Sequence, residues 1–308
     1  GQYFTNLLKA AGVNRYECYI TNTVHQQPYK NDYTTLSQDV LAHGRQELID
    51  DLTEWRDKGL TTVVAVGAHA LTLLTGKTGI YRYRGTALPC TLVEGLKVYS
   101  TVHPSSILRG EGKYEPIFIL DIKKAIADSD SASITYPFRN INIFTSVFDV
   151  IEELNHITGV STPIVIDIET AGPRMTAFGW AISPHQAFVI PSPLLRNADV
   201  LQAIGRFASS STPKIFHNAL YDAFHGAYYY KIMYKNIYFD TMIAQHTAYP
   251  TLPKSLGFCA SIYTNEPYWK EEGREAMDDL RRGILSWDKF YNYNGKDCCL
   301  TYEIYHAL

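Results

Sequence analysis

The 308-residue sequence lacks the features of several large classes of protein. It contains no apolar run of the ~18 residues that a membrane-spanning helix needs, no signal peptide and no repeat or low-complexity tract. An excess of basic charge is also absent, because 28 Lys and Arg oppose 31 Asp and Glu for a net charge of −3. We therefore expect no membrane partner. Nucleic acid could bind only in a local groove, or through metal ions that neutralise its phosphates.

Cysteine is scarce and irregularly placed. The count of five is odd, two of the residues are adjacent and no CxxC motif occurs, so neither a disulfide framework nor a zinc site is expected. This usage is typical of a reducing compartment, and we expect a cytoplasmic protein. The first residue is not Met, and a predicted helix over 3–11 begins almost at once, which indicates a fragment of something longer. The cysteines are Cys18, Cys90, Cys259, Cys298 and Cys299.

The remaining composition is that of a globular protein. Hydrophobic residues make up 46% and charged residues 19%, which excludes a disordered, collagenous or coiled-coil chain. The length favours two domains, and a polar run without apolar periodicity at 128–135 marks the break between them. We therefore predict a first domain over 1–128, a linker over 129–136 and a second domain over 137–308.

Both domains are predicted to be α/β. In the first, strand-like segments at 17–21, 62–66 and 97–102 alternate with turns and helical patterns, which is typical of a three-layer domain with a parallel sheet covered by helices. In the second, an apolar strand at 163–168 precedes a hairpin of strands at 175–182 and 186–190, which indicates a mixed sheet. Helices are predicted to dominate the rest of the chain, at 219–230, 241–248, 275–282 and 291–308.

Two carboxylates lie on one face of the apolar strand. Side chains two residues apart on a strand point to the same side, so Asp167 and Glu169 lie together while Ile166 and Ile168 point away. Two like charges so close repel, and without a cation one is expected to keep its proton. Hard oxygen ligands favour Mg²⁺ or Mn²⁺. An isolated D-x-E pattern is more often a solvated strand end, so the pair needs support from elsewhere.

Two later acids supply that support. Asp222 follows Asn218 by four residues at a strand-to-helix junction, and Asp297 follows Tyr293 by four residues on the last predicted helix. The four acids could hold two metal ions, which at a spacing of ~3.5–4 Å stabilise both oxygens of an in-line phosphoryl displacement. Tyr293 would position the attacking water, because a phenol with an ordinary pKa of about 10 is a poor base. The expected reaction is hydrolysis of a phosphodiester.

The segments D-I-E-T, H-N-x-x-x-D and Y-x-x-x-D, in this order, resemble the three exonuclease motifs of the tyrosine subtype of the DEDD superfamily. The segment F-D-T-M-I-A at 239–244 resembles part of the proofreading domains of family A DNA polymerases. The resemblance covers 164–308 and implies a ribonuclease H-like fold, 3′-5′ exonuclease activity and two Mg²⁺ or Mn²⁺ ions. Asp240 would have a structural role.

The same resemblance assigns a role to each acid. Asp167 would bridge both ions, Glu169 and Asp297 would complete one site, and Asp222 would serve the other, largely through water. The motif positions imply a catalytic set of these four acids with Tyr293, and contacts to nucleic acid from Thr170 and Asn218.

The first domain carries a second ordered series: G-Q-Y-F at the start, Y-I-T-N-T-V over 19–24, V-A-V-G-A-H-A over 64–70 and T-V-H-P-S-S-I-L-R over 101–109. It resembles the uracil-DNA glycosylase superfamily over 1–128, closest to the thermophilic iron–sulfur branch. The resemblance implies that Asn22 reads a flipped base and that His103 stabilises a departing uracil anion. Ser105 lies in a turn whose N–H groups could bind a phosphate. Further candidate phosphate contacts are Arg82, Arg84 and Arg109.

Two departures weaken the resemblance to active glycosylases. The positions of the cluster cysteines hold H-Q-Q-P at 25–28 and His43, so no iron–sulfur cluster is expected. The water-activating motif of the family lies upstream of the region where this chain starts. We therefore favour a DNA-docking role for the first domain over uracil excision, and a structural role for His103 is as compatible with the sequence as catalysis.

Together the resemblances are those of the N-terminal part of bacteriophage-type family A DNA polymerases. They imply an editing module that removes mispaired nucleotides from a single-stranded or frayed DNA 3′ end, in a bacterial cytoplasm, with the polymerase domain outside this chain. Three alternatives stay open: an RNA-processing exoribonuclease of the same superfamily, a uracil-DNA glycosylase, and a DNA-binding scaffold with idle sites.

Overall fold

The computed structural model describes residues 1–282 and 287–308. Two compact units, Gly1–Tyr136 and Pro137–Leu308, each contain one sheet with helices packed on it, which confirms the predicted α/β class with two domains. The linker over 129–136 stays a prediction; Ser129 and Ser133 accept hydrogen bonds from Thr61 and Lys97 of the first unit. Among the helices of the described ranges, none has both the length and the apolar character needed to cross a membrane.

The first unit has a mixed sheet of three strands in the order β1-β3-β2. β1 (Thr62–Val66) and β3 (Lys97–Thr101) are parallel, as expected, while β2 (Ala87–Pro89) adds an antiparallel edge. The helices of this unit are α1 (Gln2–Ala10), α2 (Gln38–Asp57), α3 (Ala68–Thr75), α4 (Ile80–Tyr83), α5 (Pro104–Leu108) and α6 (Glu115–Ala127).

The predicted strand at 17–21 is wrong. Residues Arg15–Glu17 form a 3₁₀ turn, capped by the Asn14 side chain, and the residues after it do not join the sheet. Their side chains instead contact α2, where the Tyr19 hydroxyl donates to Asp51 at 2.7 Å and the Tyr19 ring packs on Trp55. Tyr19 and Thr21 of this segment therefore contact a helix instead of pairing within a sheet.

The second unit is built on a six-stranded mixed sheet in the order β4-β7-β6-β5-β8-β9. β5, β6 and β7 form an antiparallel meander, β8 is parallel to β5, and the edge strands β4 and β9 are parallel to their neighbours. The strands are β4 (Asn140–Ile143), β5 (Ile164–Ala171), β6 (Arg174–Ser183), β7 (Gln186–Pro191), β8 (Lys214–Phe216) and β9 (Ile237–Asp240).

Helices cover both faces of this sheet. α7 and α8 pack with the core around Phe178 and Trp180, and α13 crosses the opposite face over β5, β6 and β7. The predicted helix at 219–230 ends as a π-helical turn, Gly226–Tyr230. The helices are α7 (Val147–Ile157), α8 (Ala198–Ser209), α9 (Ala219–His225), α10 (Thr241–Ala248), α11 (Leu256–Tyr263), α12 (Lys270–Arg281) and α13 (Trp287–Ala307).

Candidate active site

The central strand β5 presents its two acids on the side where α13 packs. Val165 lies in a cluster with α13, whereas Ile166 and Ile168 lie in the core on the side of α7 and α8. Because alternate strand residues share a face, Asp167 and Glu169 continue the side of Val165. The structure thus places the two carboxylates on one face, as the sequence predicts.

Asp222 comes to the same strand from α9. β8 pairs with β5 only at Ile164 and Val165, and beyond them the N–H of Ile168 donates to Asp222 Oδ1 at 3.1 Å. At Ile168 the Asp222 carboxylate accepts the hydrogen bond that a neighbouring strand would otherwise accept. The bond holds Asp222 beside β5, at the residue between Asp167 and Glu169. The Asp222 side chain is buried.

Asp297 completes the cluster from α13. Carboxylate oxygens of Asp167, Glu169 and Asp297 all lie within 4.8 Å of one another. Three carboxylates at this spacing form a donor set suited to hard divalent cations such as Mg²⁺ or Mn²⁺. Asp222 lies outside this group of three, which fits a ligand of a second, neighbouring ion. The structure therefore brings the four predicted acids together from one strand and two helices.

The acids are short of positive charge. Burial raises the pKa of Asp167 to about 7, and the charge of Asp297 adds to the rise. Burial and the charge of Asp167 also raise the pKa values of Glu169 and Asp222 well above their ordinary range. Each shift disfavours the ionised carboxylate. A bound divalent cation would reverse this preference.

Lys270 supplies one positive charge in the absence of metal. Its Nζ lies 2.6 Å from Asp297 Oδ2 and 2.7 Å from the Tyr293 hydroxyl. The Trp269 indole N–H donates to the other oxygen of Asp297 at 2.6 Å. Both oxygens of this buried carboxylate are therefore bonded, and a metal ion at Asp297 would share Oδ2 with Lys270 or replace it.

Tyr293 is held against α12 by a close approach at Gly273. A Cβ at Gly273 would lie 2.6 to 2.8 Å from three ring atoms of Tyr293, so any larger residue would force the ring to move. Burial and the surrounding acids raise the pKa of Tyr293, so its hydroxyl stays protonated. The hydroxyl oxygen accepts from Lys270, and the Asp297 carboxylate is a second hydrogen-bond partner of the same group.

Helix α13 approaches the sheet closely because a glycine on each side of the contact leaves room: Gly179 on β6 and Gly295 on α13. A Cβ at Gly179, which pairs with Asp167 across β5 and β6, would lie 2.3 Å from Asn294 Oδ1. A Cβ at Gly295 would lie 2.4 Å from Ile141. The approach lets Asn294 Nδ2 donate to Asp167 Oδ2 at 2.7 Å, which orients the carboxylate toward the other acids.

The two predicted nucleic-acid contacts of this unit lie beside the acids. Asn218 adopts a left-handed backbone (φ 76°) at the start of α9, and its N–H and that of Ala219 donate to Asp240. Asp240 also caps α10, which confirms its structural role. Thr170 Oγ1 lies 2.5 Å from the exposed Tyr221 hydroxyl. Contact of Asn218 and Thr170 with nucleic acid stays a prediction.

In the first unit, two of the predicted residues, His103 and Ser105, lie at the start of α5, and Arg109 follows its end. His103 caps this helix, with its Nδ1 3.1 Å from the N–H of Ser105 and 2.7 Å from the Ser105 hydroxyl. Burial, assisted by Arg109, lowers the pKa of His103, and a Cβ at Gly67 would lie 3.1 Å from His103. Asn22 is exposed in the irregular segment before α2. The catalytic or binding roles of these residues stay predictions.

Arg84 is not a phosphate contact. Its side chain is fully buried, and its Nε lies 2.8 Å from Asp121 Oδ2, which also accepts from Thr101 at 2.8 Å. A buried guanidinium needs such a partner, and this pair links α4 to β3 and α6. Arg82 and Arg109 are exposed.

Sequence reasoning missed three residues of the site: Trp269, Lys270 and Asn294. Asn294 directly follows Tyr293 within the third motif, and that adjacency is the one signal that could have found it. Trp269 directly precedes α12 and Lys270 is its first residue. Their contact with Asp297 depends on how α12 packs on α13.

Two family models match this chain. Residues 139–308 match the model described as 3′-5′ exonuclease, and residues 1–126 match that of the Uracil DNA glycosylase superfamily. A curated relative, the Type-4 uracil-DNA glycosylase of Thermotoga maritima, is 33% identical over 128 residues, which are 41% of this chain and 63% of that protein. The chain thus spans less than two thirds of that relative.

Several solved structures are similar to this chain at low identity. The mutant RRP6 catalytic core from Trypanosoma brucei has 16% identity and a TM-score of 0.37, with 54% of this chain and 45% of that chain covered. The Aedes aegypti Nibbler EXO domain has 12% identity, a TM-score of 0.42 and coverages of 57% and 90%. Brucella melitensis NrnC bound to pGG has 20% identity, a TM-score of 0.32 and coverages of 57% and 80%. Since the 3′-5′ exonuclease match covers more than half of the sequence, the chain belongs to the 3′-5′ exonuclease family, and it carries a uracil-DNA-glycosylase-like domain ahead of its exonuclease domain.

Proposed function

We propose that this chain is the editing part of a family A DNA polymerase, which hydrolyses the terminal phosphodiester at a DNA 3′ end. The observation that carries the proposal is the convergence of Asp167, Glu169 and Asp297 within 4.8 Å, with Asp222 bonded to the same strand. The same proposal divides the chain into a first domain over 1–128, a linker over 129–136 and an exonuclease domain over 137–308. It also places the protein in the cytoplasm, which would be that of a bacterial host if a bacteriophage encodes the protein.

The four acids would hold a pair of Mg²⁺ or Mn²⁺ ions. Asp167 would be the residue that contacts both ions. The charge of Asp297 raises the pKa of Asp167, and the charge of Asp167 raises the pKa of Asp222, so Asp167 is close to both of the other acids. When bound, such ions lower the pKa of a water and stabilise charge on a phosphate. The raised pKa values of Asp167, Glu169 and Asp222 support a cation at this place, since ionised carboxylates need one here.

The chain's own residues would orient the reactants. The protonated Tyr293 hydroxyl can hold the attacking water by a hydrogen bond, and Lys270 fixes the direction of that hydroxyl. Asn294 fixes Asp167 from the side of α13. Positioning of this kind accounts for a large part of the rate in phosphoryl transfer.

The substrate would be an unpaired DNA end. Mismatched termini unpair at a lower cost than matched ones, so a site that needs single strand selects them. Support for DNA comes from the glycosylase-like domain that precedes the exonuclease domain. We propose that this first domain binds DNA without excising uracil. The residues that would lie near the DNA strand are Asn22, His103, Ser105 and Arg109.

The proposal is tested with matched DNA and RNA oligonucleotides labelled at either end. With Mg²⁺, a 5′-labelled DNA strand should shorten one nucleotide at a time and a 3′-labelled one should release mononucleotide at once. Faster digestion of the RNA strand would favour the exoribonuclease alternative, and digestion from the 5′ end would refute the proposed polarity. Release of free uracil from a uracil-containing strand would overturn the docking role of the first domain.

A further inference from the structure

An exposed aromatic surface runs along the outer side of α9 and the π-helical turn after it. We call it the aromatic ladder and define it as Tyr221, Phe224, Tyr228 and Tyr229. Phe224 and Tyr228 are 58% and 61% exposed. Clusters of large exposed rings are uncommon on a soluble surface, and they mark places where another molecule binds.

The ladder has the geometry of a stacking platform. The rings of Phe224 and Tyr228 are nearly parallel, with centroids 5.4 Å apart and an interplanar angle of 14°. The ring of Tyr229 meets Tyr228 edge-on at 4.8 Å. The π-helical turn, Gly226–Tyr230, lies within this stretch, and such turns often occur at functional sites.

The inner side of the same segment is hydrogen-bonded to the β5–β6 hairpin, whose first strand carries Asp167 and Glu169. His225 Nε2 lies 3.2 Å from the Gly172 carbonyl, and the Met175 N–H donates to the Tyr230 hydroxyl at 2.7 Å, so the segment is fixed to the β5–β6 hairpin. Tyr221, the first ring of the ladder, contacts Thr170, one residue after Glu169. The ladder is therefore continuous with the candidate active site.

Charge around the ladder suits a polyanion, although the whole chain has a net charge of −3. Between residues 219 and 239 the sequence holds one acid, Asp222, which is buried in the site. The same stretch holds two exposed lysines, Lys231 and Lys235. The Lys231 ammonium lies 6.0 Å from the centroid of the Tyr228 ring. Aromatic faces next to ammonium groups are the combination that binds single-stranded nucleic acid without reading its sequence.

We propose that the aromatic ladder binds single-stranded DNA immediately behind the nucleotide being removed, with bases stacked on Phe224 and Tyr228. These residues follow Asp222 by two and six positions, so the ladder begins within one helical turn of this acid and extends away from it. The bases that we expect on the ladder are therefore those next to the 3′ end. The inference rests on the proposed function for the placement of the 3′ end, and it adds the path of the strand that leads there.

The test measures, in EDTA, how tightly the chain binds a single-stranded oligonucleotide and which residues that oligonucleotide contacts. EDTA removes the metal ions, so hydrolysis does not interfere. The probe is a labelled oligothymidylate of twelve nucleotides, and a second version carries 5-iodouracil three nucleotides from the 3′ end for photo-crosslinking to aromatic side chains. The full chain is compared with Phe224→Ala/Tyr228→Ala and with the ring-keeping Phe224→Tyr/Tyr228→Phe. The control is Phe148→Ala, which removes a ring on α7 that is 71% exposed.

We expect the double alanine variant to bind the oligonucleotide about tenfold more weakly or worse, because base–aromatic stacking commonly contributes this much. The ring-keeping variant and Phe148→Ala should bind within about twofold of the unsubstituted chain. The crosslink should map to residues 219–231 and disappear in the alanine variant.

Three results would overturn the inference. One is unchanged affinity and an unchanged crosslink in the alanine variant. Another is a crosslink that maps only outside residues 219–231. The third is a dimer in sedimentation that the alanine variant dissociates, which would show that a second copy of the chain covers the ladder. Each can occur while the unsubstituted chain still degrades DNA in Mg²⁺, so failure of the ladder is distinguishable from failure of the proposed function.

Discussion

Lys270 Nζ lies 2.6 Å from Asp297 Oδ2, so a cation of the protein is already bonded to one of the acids proposed to hold metal. Asp297 is buried and the Lys270 side chain is 22% exposed. The pair compensates part of the negative charge that the four acids bring together. It also gives metal ions a competitor at the same oxygen.

Replacing Lys270 with Met should destabilise the metal-free protein by about 1–3 kcal/mol, because a buried carboxylate loses its partner. Mg²⁺ should restore more stability in this variant than in the unsubstituted chain. Thermal unfolding with EDTA and with Mg²⁺ measures both effects. Lys296→Met is the matched control, since Lys296 is also 22% exposed but pairs with Glu266 and Glu272. Equal unfolding temperatures for Lys270→Met and the unsubstituted chain in EDTA would contradict the expectation.

Gly273→Ala should lower activity while leaving the helix content of the protein unchanged. Alanine favours a helix over glycine by up to about 1 kcal/mol. Its Cβ, however, would lie only 2.6 to 2.8 Å from three atoms of the Tyr293 ring, so the ring would have to move. A displaced hydroxyl should lower the hydrolysis rate by about tenfold or more. The control is Gly205→Ala in α8, where a Cβ would meet no atom within 4 Å. Rates of oligonucleotide digestion and helical circular dichroism test the pair, and equal rates for the two variants would refute the role of the contact.

Asp167 contributes to the pH dependence of stability. Its pKa is raised from an ordinary 3.8 to about 7 by burial and by Asp297. The folded protein therefore binds more protons than the unfolded chain between about pH 4 and 7, and its free energy of unfolding falls as pH rises through that window. Asp167→Asn should flatten this fall and stabilise the metal-free protein at pH 8 by about 1–3 kcal/mol. Unfolding titrations in EDTA across this range check the result; a variant that is less stable than the unsubstituted chain at pH 8 would contradict it.

Arg84→Met should destabilise the first unit by about 3–5 kcal/mol, because the buried Asp121 carboxylate would lose its charged partner. Hydrogen exchange followed by mass spectrometry resolves the two units within the full chain. Peptides from β1 and β3 should exchange faster, and peptides from β5 and β6 should not change. The double variant Arg84→Met/Asp121→Leu should recover much of the loss, and normal exchange in Arg84→Met alone would refute a stabilising role for the pair.

Local patterns carried most of the information about the second unit. The strand, hairpin and helix patterns predicted the order of elements, and the spacing of acids predicted which side chains would meet. Asp222 illustrates why this worked: four-residue spacing on a helix and two-residue spacing on a strand are fixed by backbone geometry. The partners Lys270 and Trp269 could not be found in this way, because their contacts depend on long-range packing between α12 and α13.

The errors in the first unit have a related cause. The segment at 17–21 has the β-branched and aromatic residues of a strand, but its hydrogen bonds and ring contacts go to α2. Arg84 follows exposed Arg82 by two residues, and nothing in the sequence distinguishes a charged residue that reaches solvent from one that pairs with a buried Asp121. Which charges become buried is decided by partners far along the chain.

The most direct test of the central claim is the number of Mn²⁺ ions that the chain binds, measured by calorimetric titration or by electron paramagnetic resonance of free Mn²⁺. We expect two ions per chain. Asp167→Asn removes the carboxylate that would contact both ions, so this variant should bind none or bind them only weakly. No binding to the unsubstituted chain, or binding that Asp167→Asn leaves unchanged, would contradict it.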